Sequence, residues 1–232
     1  EQAAFNKLKA WDYNLTRESQ AASIFEILYL KSMENLVKDE LSPELFEGML
    51  GQKVLLENLM INLLAEGQSQ WADNVMTEQT ESFDDIVALS FNETVEELTA
   101  TLGNNVDDWS WGKIHSFTLA HPLGVVDILN KALKLNRGPF EVPGSFHTVC
   151  PYSYSYKNLY ETVHGASHRH IFSMANWDDS ETIIPTGTSG IPASNFYLDQ
   201  TEMYLNNQYH PDLFTKQNVE NKARFKMQLK PE

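Results

Sequence analysis

Cationic residues are scarce in this sequence. Its 232 residues carry 17 Lys and Arg against 32 Asp and Glu, a net charge of −15. Nonspecific binding to nucleic acid or to an anionic membrane needs a basic face, so both partner classes are set aside. Cysteine occurs once, at Cys150, which excludes an internal disulfide. No apolar run approaches the roughly 20 residues of a membrane-spanning helix. No basic-then-apolar signal segment opens the chain, an absence without weight if the chain is an internal piece. There is no Cys-x-x-Cys, no His-Glu-x-x-His, no Gly-x-Ser-x-Gly and no P-loop lysine. Internal repeats and low-complexity tracts are missing too.

What is present is an ordinary globular composition, 42% hydrophobic and 21% charged, long enough to bury a sizeable core. Hydrophobic period divides it into a helical first part and a later part of strands and loops. Residues 18–37 place Ala22, Phe25, Leu28, Tyr29, Met33 and Leu36 on one helical stripe. Ser42-Pro43 reads as an N-cap followed by a first-turn proline, with Glu44 in the first turn and Leu45 leaving the capping box incomplete. Residues 52–66 repeat Leu55, Leu59 and Leu63, beside Leu56, Met60 and Leu64, and stop at Gly67. A longer helix is predicted from about Thr80 to Leu102, with Val87, Phe91, Val95, Leu98 and Leu102 inward.

After Asn104 the texture changes. Ser116–Ala120 reads as a short strand and Gly124–Leu135 as a short helix. Glycine and proline then thicken, separating β-rich segments at Thr148-Val149, Tyr152–Tyr156 and His168–Met174. Ala223–Lys230 alternates apolar and polar residues, the pattern of a strand with one wet face. No Gly/Ser linker divides the two parts. The expectation is therefore one continuous α+β unit over 1–232, mainly helical over 1–104, with strands, loops and short helices over 105–232.

Several constellations could carry chemistry. His115 and His121 flank a predicted strand, and His168 and His170 share one face of another, so a metal-dependent hydrolase could be built on these four. Against it, a metal site needs three or four converging ligands, and satisfied structural histidines are the plainer reading. Cys150 has His147 three residues away, which strand spacing places on the opposite face, and it reads as a small buried thiol. Adjacent carboxylates at Asp84-Asp85, Asp107-Asp108 and Asp178-Asp179 diverge in most backbones; the last pair reads as a cap or turn. Thr186–Gly190 looks like a phosphate-cradling run without its lysine. Tyr152, Tyr154 and Tyr156 share one strand face, either packed into a core or forming an aromatic platform for a sugar in a non-catalytic binding module.

An ordered series of blocks adds what spacing cannot. It runs Leu8-Lys-Ala-Trp-Asp12, Trp109-Ser-Trp-Gly-Lys-Ile-His115, His121-Pro-Leu-Gly124, Asn136-Arg-Gly-Pro-Phe140 and Thr148-Val149. It continues with Gly165-Ala-Ser-His-Arg169, Trp177-Asp-Asp-Ser180, Pro185–Gly190, Tyr197-Leu-Asp-Gln200 and Tyr209-His-Pro-Asp-Leu-Phe214. This order resembles the C-terminal part of the β-chain of the penicillin acylase family, the N-terminal nucleophile amidohydrolases. Thr188 and Phe196 depart from the family pattern, where Gln and His are frequent.

The resemblance implies a fold, an activity and a set of partners. The fold is α+β, a partial one whose strands complete an αββα sandwich. The activity is hydrolysis of N-acyl amides, such as β-lactam side chains or acyl-homoserine lactones, by a precursor (a zymogen) that cuts itself to expose a terminal serine. That serine attacks the amide carbonyl with its own α-amino group as base, and upstream residues supply the oxyanion hole. Residue 1 here is Glu, and the family's nucleophile, oxyanion and calcium positions precede it. The resemblance therefore assigns no catalytic, cofactor-binding or metal residue to this chain, and implies that the chain alone is inactive. Its implied partners are the α-chain and the N-terminal part of the β-chain of the same precursor, with a small N-acyl substrate. The implied setting is the bacterial periplasm or exterior, with a link to antibiotic biosynthesis. A half-sandwich should show exposed apolar faces and unpaired strand edges, or close a smaller helical core of its own.

Overall fold

In the computed structural model, which describes residues 1–67 and 70–231, the helices come first, as the hydrophobic period requires. They are α1 (Gln2–Lys9), α2 (Gln20–Asn35), α3 (Pro43–Leu50), α4 (Lys53–Glu66) and α5 (Phe83–Leu102). Later come β1 (Ser116–Leu119), α6 (Asp127–Leu133), β2 (Arg137–Glu141), β3 (Ser153–Ser155) and β4 (Asn158–His164). The chain goes on through β5 (Arg169–Ile171), β6 (Glu181–Ile183), α7 (Thr201–Leu205), β7 (His210–Pro211) and α8 (Lys216–Lys222). The mixture of helix and strand is the α+β class that the sequence suggests.

Local chemistry accounts for the helix ends. Ser42 accepts a hydrogen bond from the Leu45 amide, with Pro43 in the first turn of α3. Gly67 takes a left-handed conformation, φ 70°, where a Cβ would be strained, and it ends α4. Helix α5 begins at Ser82 with a full capping box, in which Asp85 answers the Ser82 amide and Ser82 answers the Asp85 amide. The sequence pattern placed this start about two residues early.

Chain contacts divide the protein into two compact units, interleaved along the sequence. The first comprises Glu1–Thr118 and Gly138–Gly165; the second comprises Leu119–Arg137 and the residues from Ala166 onward. The boundaries do not fall near residue 104, where the texture of the sequence changes.

The first unit is built around α2. This helix is buried on nearly every side: Ala21, Ala22, Ile24, Ile27, Leu30 and Met33 all enter the core. A helix apolar all round is a central helix, and spacing alone could not choose its faces. Phe25, Leu28 and Tyr29, assigned inward by the stripe, are instead only partly covered or exposed. The same ambiguity corrects α4, which buries Leu56, Met60 and Leu63 and leaves Leu55 and Leu64 exposed. On α5 the most deeply buried positions are Ile86, Ser90, Thr94 and Leu98, with Phe91, Val95 and Leu102 packed at the flanks. Ser90 and Thr94 fit inward because their hydroxyls donate to the backbone carbonyls one turn earlier. Trp109, Trp111 and Ile114 close this core from the next segment.

Strands β2-β1-β4-β3 form one sheet. β1 runs parallel to β4, with Ser116 opposite Glu161, and β3 and β4 form an irregular antiparallel hairpin. Thr148-Val149, expected as strand, lies in turns before β3. In the second unit β5-β6-β7 form a small antiparallel sheet, with Arg169 opposite Ile183 and Thr182 opposite His210. Ala223–Lys230 is irregular rather than a strand: no strand pairs with it among the described residues, and Phe225, Met227 and Leu229 are more than 80% exposed. Alternation specifies two faces, but a strand also needs a neighbour for its amides.

Candidate functional site

The tyrosine tract decides one question directly. Tyr152, Tyr154 and Tyr156 are 1%, 2% and 4% exposed, so they cannot grip a sugar, and the core reading of the tract holds. Burial of a phenol demands a hydrogen-bond partner, and each of three tyrosines from the β3–β4 hairpin finds a carboxylate on a different helix. Tyr154 donates to Glu26 on α2, Tyr156 donates to Glu57 on α4 at 2.9 Å, and Tyr160 donates to Glu97 on α5. Burial, reinforced by these carboxylates, drives the phenol pKa values upward, Tyr154 well above the ordinary range.

Two of those carboxylates border a ligand-sized space in the first unit. It is a cavity of about 860 Å³. Its walls are apolar and largely aromatic. Tyr13, Trp11, Phe25, Tyr29 and His147 follow one another ring to ring, at centroid spacings of 5.5, 5.2, 5.9 and 6.1 Å. Leu8, Leu15, Leu28 and Ile61 complete the apolar lining. The polar end holds Glu26, Glu57, Ser145 and Thr148. Glu57 stands 3.5 Å from the Nε2 of His147 while accepting from Tyr156. Burial, then the charges of Glu57 and Glu26, push the Tyr29 phenol up to about 12. No Lys or Arg is found among the described lining residues.

Sequence reasoning missed Glu26 and Glu57, although a signal existed. Each is the one charged residue of a mainly apolar helical stretch, Ala21–Leu30 and Val54–Leu59. Such a residue is buried only with a partner.

The residues singled out from sequence are placed as follows. His115 is fully buried in the first unit, its ring stacked on Trp111 at 4.5 Å. Its Nε2 lies 3.1 Å from the Tyr152 carbonyl and its Nδ1 3.4 Å from that of Leu159; burial pushes its pKa down to about 4. His121, in the second unit, accepts from the Leu123 amide through Nδ1 and caps a short 3-10 turn. His168 and His170 lie side by side, ring centroids 4.2 Å apart and planes tilted by 53°. The first meets the Thr182 hydroxyl at 2.6 Å and the second meets Asp212 at 2.7 Å. Among the described residues no group of three or more His, Cys, Asp or Glu is placed to hold a metal ion.

Cys150 is half-buried in a turn whose carbonyl accepts from the Thr148 hydroxyl and the Tyr152 amide. Asp85 serves the α5 cap, and Asp107 pairs with Lys7 at 2.7 Å. Asp178 is a tether. It accepts from the amides of Phe214 and Thr215, the Thr215 hydroxyl and the Asn218 side chain, and these bonds hold its pKa down at about 2. Thr186–Gly190 packs on its own unit rather than cradling an anion. A Cβ on Gly187 would stand 2.0 Å from the Phe196 carbonyl oxygen, and the Ser189 amide donates to that same oxygen.

A sequence model of the penicillin amidase family matches residues 1–221. Acyl-homoserine lactone acylase QuiP of Pseudomonas syringae pv. tomato is 29% identical over 231 residues, covering 94% of this chain and 27% of the relative. QuiP of Pseudomonas aeruginosa is 27% identical, with the same coverage of each. The penicillin acylase 2 proenzyme of a Pseudomonas species is 25% identical, covering 97% of this chain and 28% of the relative. The chain thus spans little more than a quarter of the length of these curated relatives.

Proposed function

The chain belongs to the penicillin amidase family, and we propose that it is one portion of an amidohydrolase that cleaves N-acyl amide bonds. The observation that carries this reading is the match over nearly the whole chain, together with relatives named as acylases of acyl-homoserine lactones and of penicillin. In this proposal the present residues build scaffold. The attacking serine, its α-amino base and the oxyanion donors are contributed by the α-chain and the N-terminal part of the β-chain of the same precursor. The strands described here complete the αββα sandwich. Structural calcium of the complete protein is assigned in this proposal to that other portion. No described helix is long and apolar enough to cross a membrane, and we place the complete protein in the bacterial periplasm or exterior.

The test compares this 232-residue chain with the complete gene product that contains it. Both are assayed on N-decanoyl-homoserine lactone and on a chromogenic phenylacetyl amide. Turnover by the complete product and none by the chain is expected. Enzymic turnover by the chain alone would overturn the division of labour. Failure of the complete, self-processed product on both substrates and on other N-acyl amines would overturn the amidase reading.

A further inference from the structure

We propose that the cavity of the first unit is a binding site for a small hydrophobic ammonium ion, a quaternary or protonated alkyl- or arylamine. Its volume, about 860 Å³, lies in the range of small-molecule pockets. The aromatic rings of Tyr13, Trp11, Phe25 and Tyr29 form a continuous wall with centroids 5.2 to 5.9 Å apart. Ring faces attract a cation through their quadrupole, most strongly when water is excluded. At the polar end stands the carboxylate of Glu57, its side chain 13% exposed and held in place by the Tyr156 hydroxyl. Glu26 adds a second carboxylate, fixed by Tyr154.

The sign of this site is what selects its ligand. Glu26 and Glu57 face the cavity, and among the described lining residues His147 alone can become cationic. An anionic ligand would meet two carboxylates. A neutral hydrocarbon would fill the aromatic end yet strip water from the carboxylates without return. A hydrophobic ammonium satisfies both ends, and the net charge of −15 draws it in. The inference concerns binding in the first unit and does not rest on the amidase reading.

The experiment titrates the complete gene product containing this chain with benzyltrimethylammonium and with its uncharged isostere, neopentylbenzene, using calorimetry or saturation-transfer NMR. The cation is expected to bind at least tenfold tighter than the isostere. Glu57→Gln, which keeps an acceptor for Tyr156, is expected to abolish most of that preference. Trp11→Leu is expected to weaken the cation at least threefold. Should either variant misfold, the comparison of the two compounds on the unmodified protein still decides. Equal or tighter binding of the isostere overturns the proposal, and so does absence of cation binding at millimolar concentration. Amide hydrolysis is not read at any point, so loss of this site and loss of the amidase reading are told apart.

Discussion

At the scale of single residues, the buried polar groups govern how the protein responds to pH. His115 has a folded pKa near 4 against an ordinary 6.5, because burial disfavours its charged form. A group that binds its proton more readily when unfolded costs stability as pH falls through the unfolded value. The loss therefore begins near 6.5 and is complete near 4, amounting to about 3 kcal/mol. Urea midpoints measured from pH 7 to 4 should show this fall, and His115→Gln should flatten it. The tyrosines act at the other limit. Their folded pKa values are raised, so the unfolded chain ionises first and stability drops as pH climbs above about 10. Removing a phenol should be felt directly as well. Tyr156→Phe takes a donor from the half-buried Glu57 and should cost about 1–2 kcal/mol; Tyr154→Phe, at the fully buried Glu26, should cost about 2–3 kcal/mol. Chemical denaturation checks both.

At the scale of elements, what was legible in the sequence was what local chemistry determines. Ser42-Pro43 and Gly67 mark their helix ends in the structure as they do in the sequence. The α5 cap should prove a measurable fraction of that helix's stability: Ser82→Ala removes a two-way hydrogen-bonded box and is expected to cost about 1 kcal/mol in a urea titration. Choices made by tertiary context were not legible. Spacing in α2 and α4 offered apolar residues on several sides, and only packing selected Ile24, Ile27 and Leu30, or Leu56, Met60 and Leu63. Ser90 and Thr94 were passed over as polar, though a hydroxyl that bonds back along its own helix is satisfied without water. Alternation at Ala223–Lys230 said strand, and among the described residues no partner strand lies beside it. The cavity was half-visible. Its aromatic wall contains Phe25 and Tyr29, residues the sequence marked and assigned to the core, while its carboxylates come from helices read only for their apolar period.

For the molecule as a whole, charge and surface pull in different directions. A net charge of −15 favours solubility but repels itself in the compact state. Raising salt from about 10 to 200 mM shortens the screening length to less than 10 Å and should raise the melting temperature, a shift that calorimetry would register. Exposed apolar side chains are numerous, among them Val54, Leu55, Ile61 and Leu64 on α4. The larger assembly proposed above gives these faces something to meet, so a fluorescent apolar dye should bind the 232-residue chain more strongly than the complete product.

The three tyrosine–carboxylate bonds also impose an order in time. Glu26 and Tyr154 are 128 residues apart, Glu57 and Tyr156 are 99 apart, and Glu97 and Tyr160 are 63 apart. A ribosome making this chain delivers all three acidic side chains, on three helices, long before any of their phenols exist. The helices emerge first and wait, their carboxylates still wet. One short hairpin, synthesised within a few residues, then latches all of them, so that a nascent chain halted before residue 154 would hold its helices by their earlier contacts, without these three bonds.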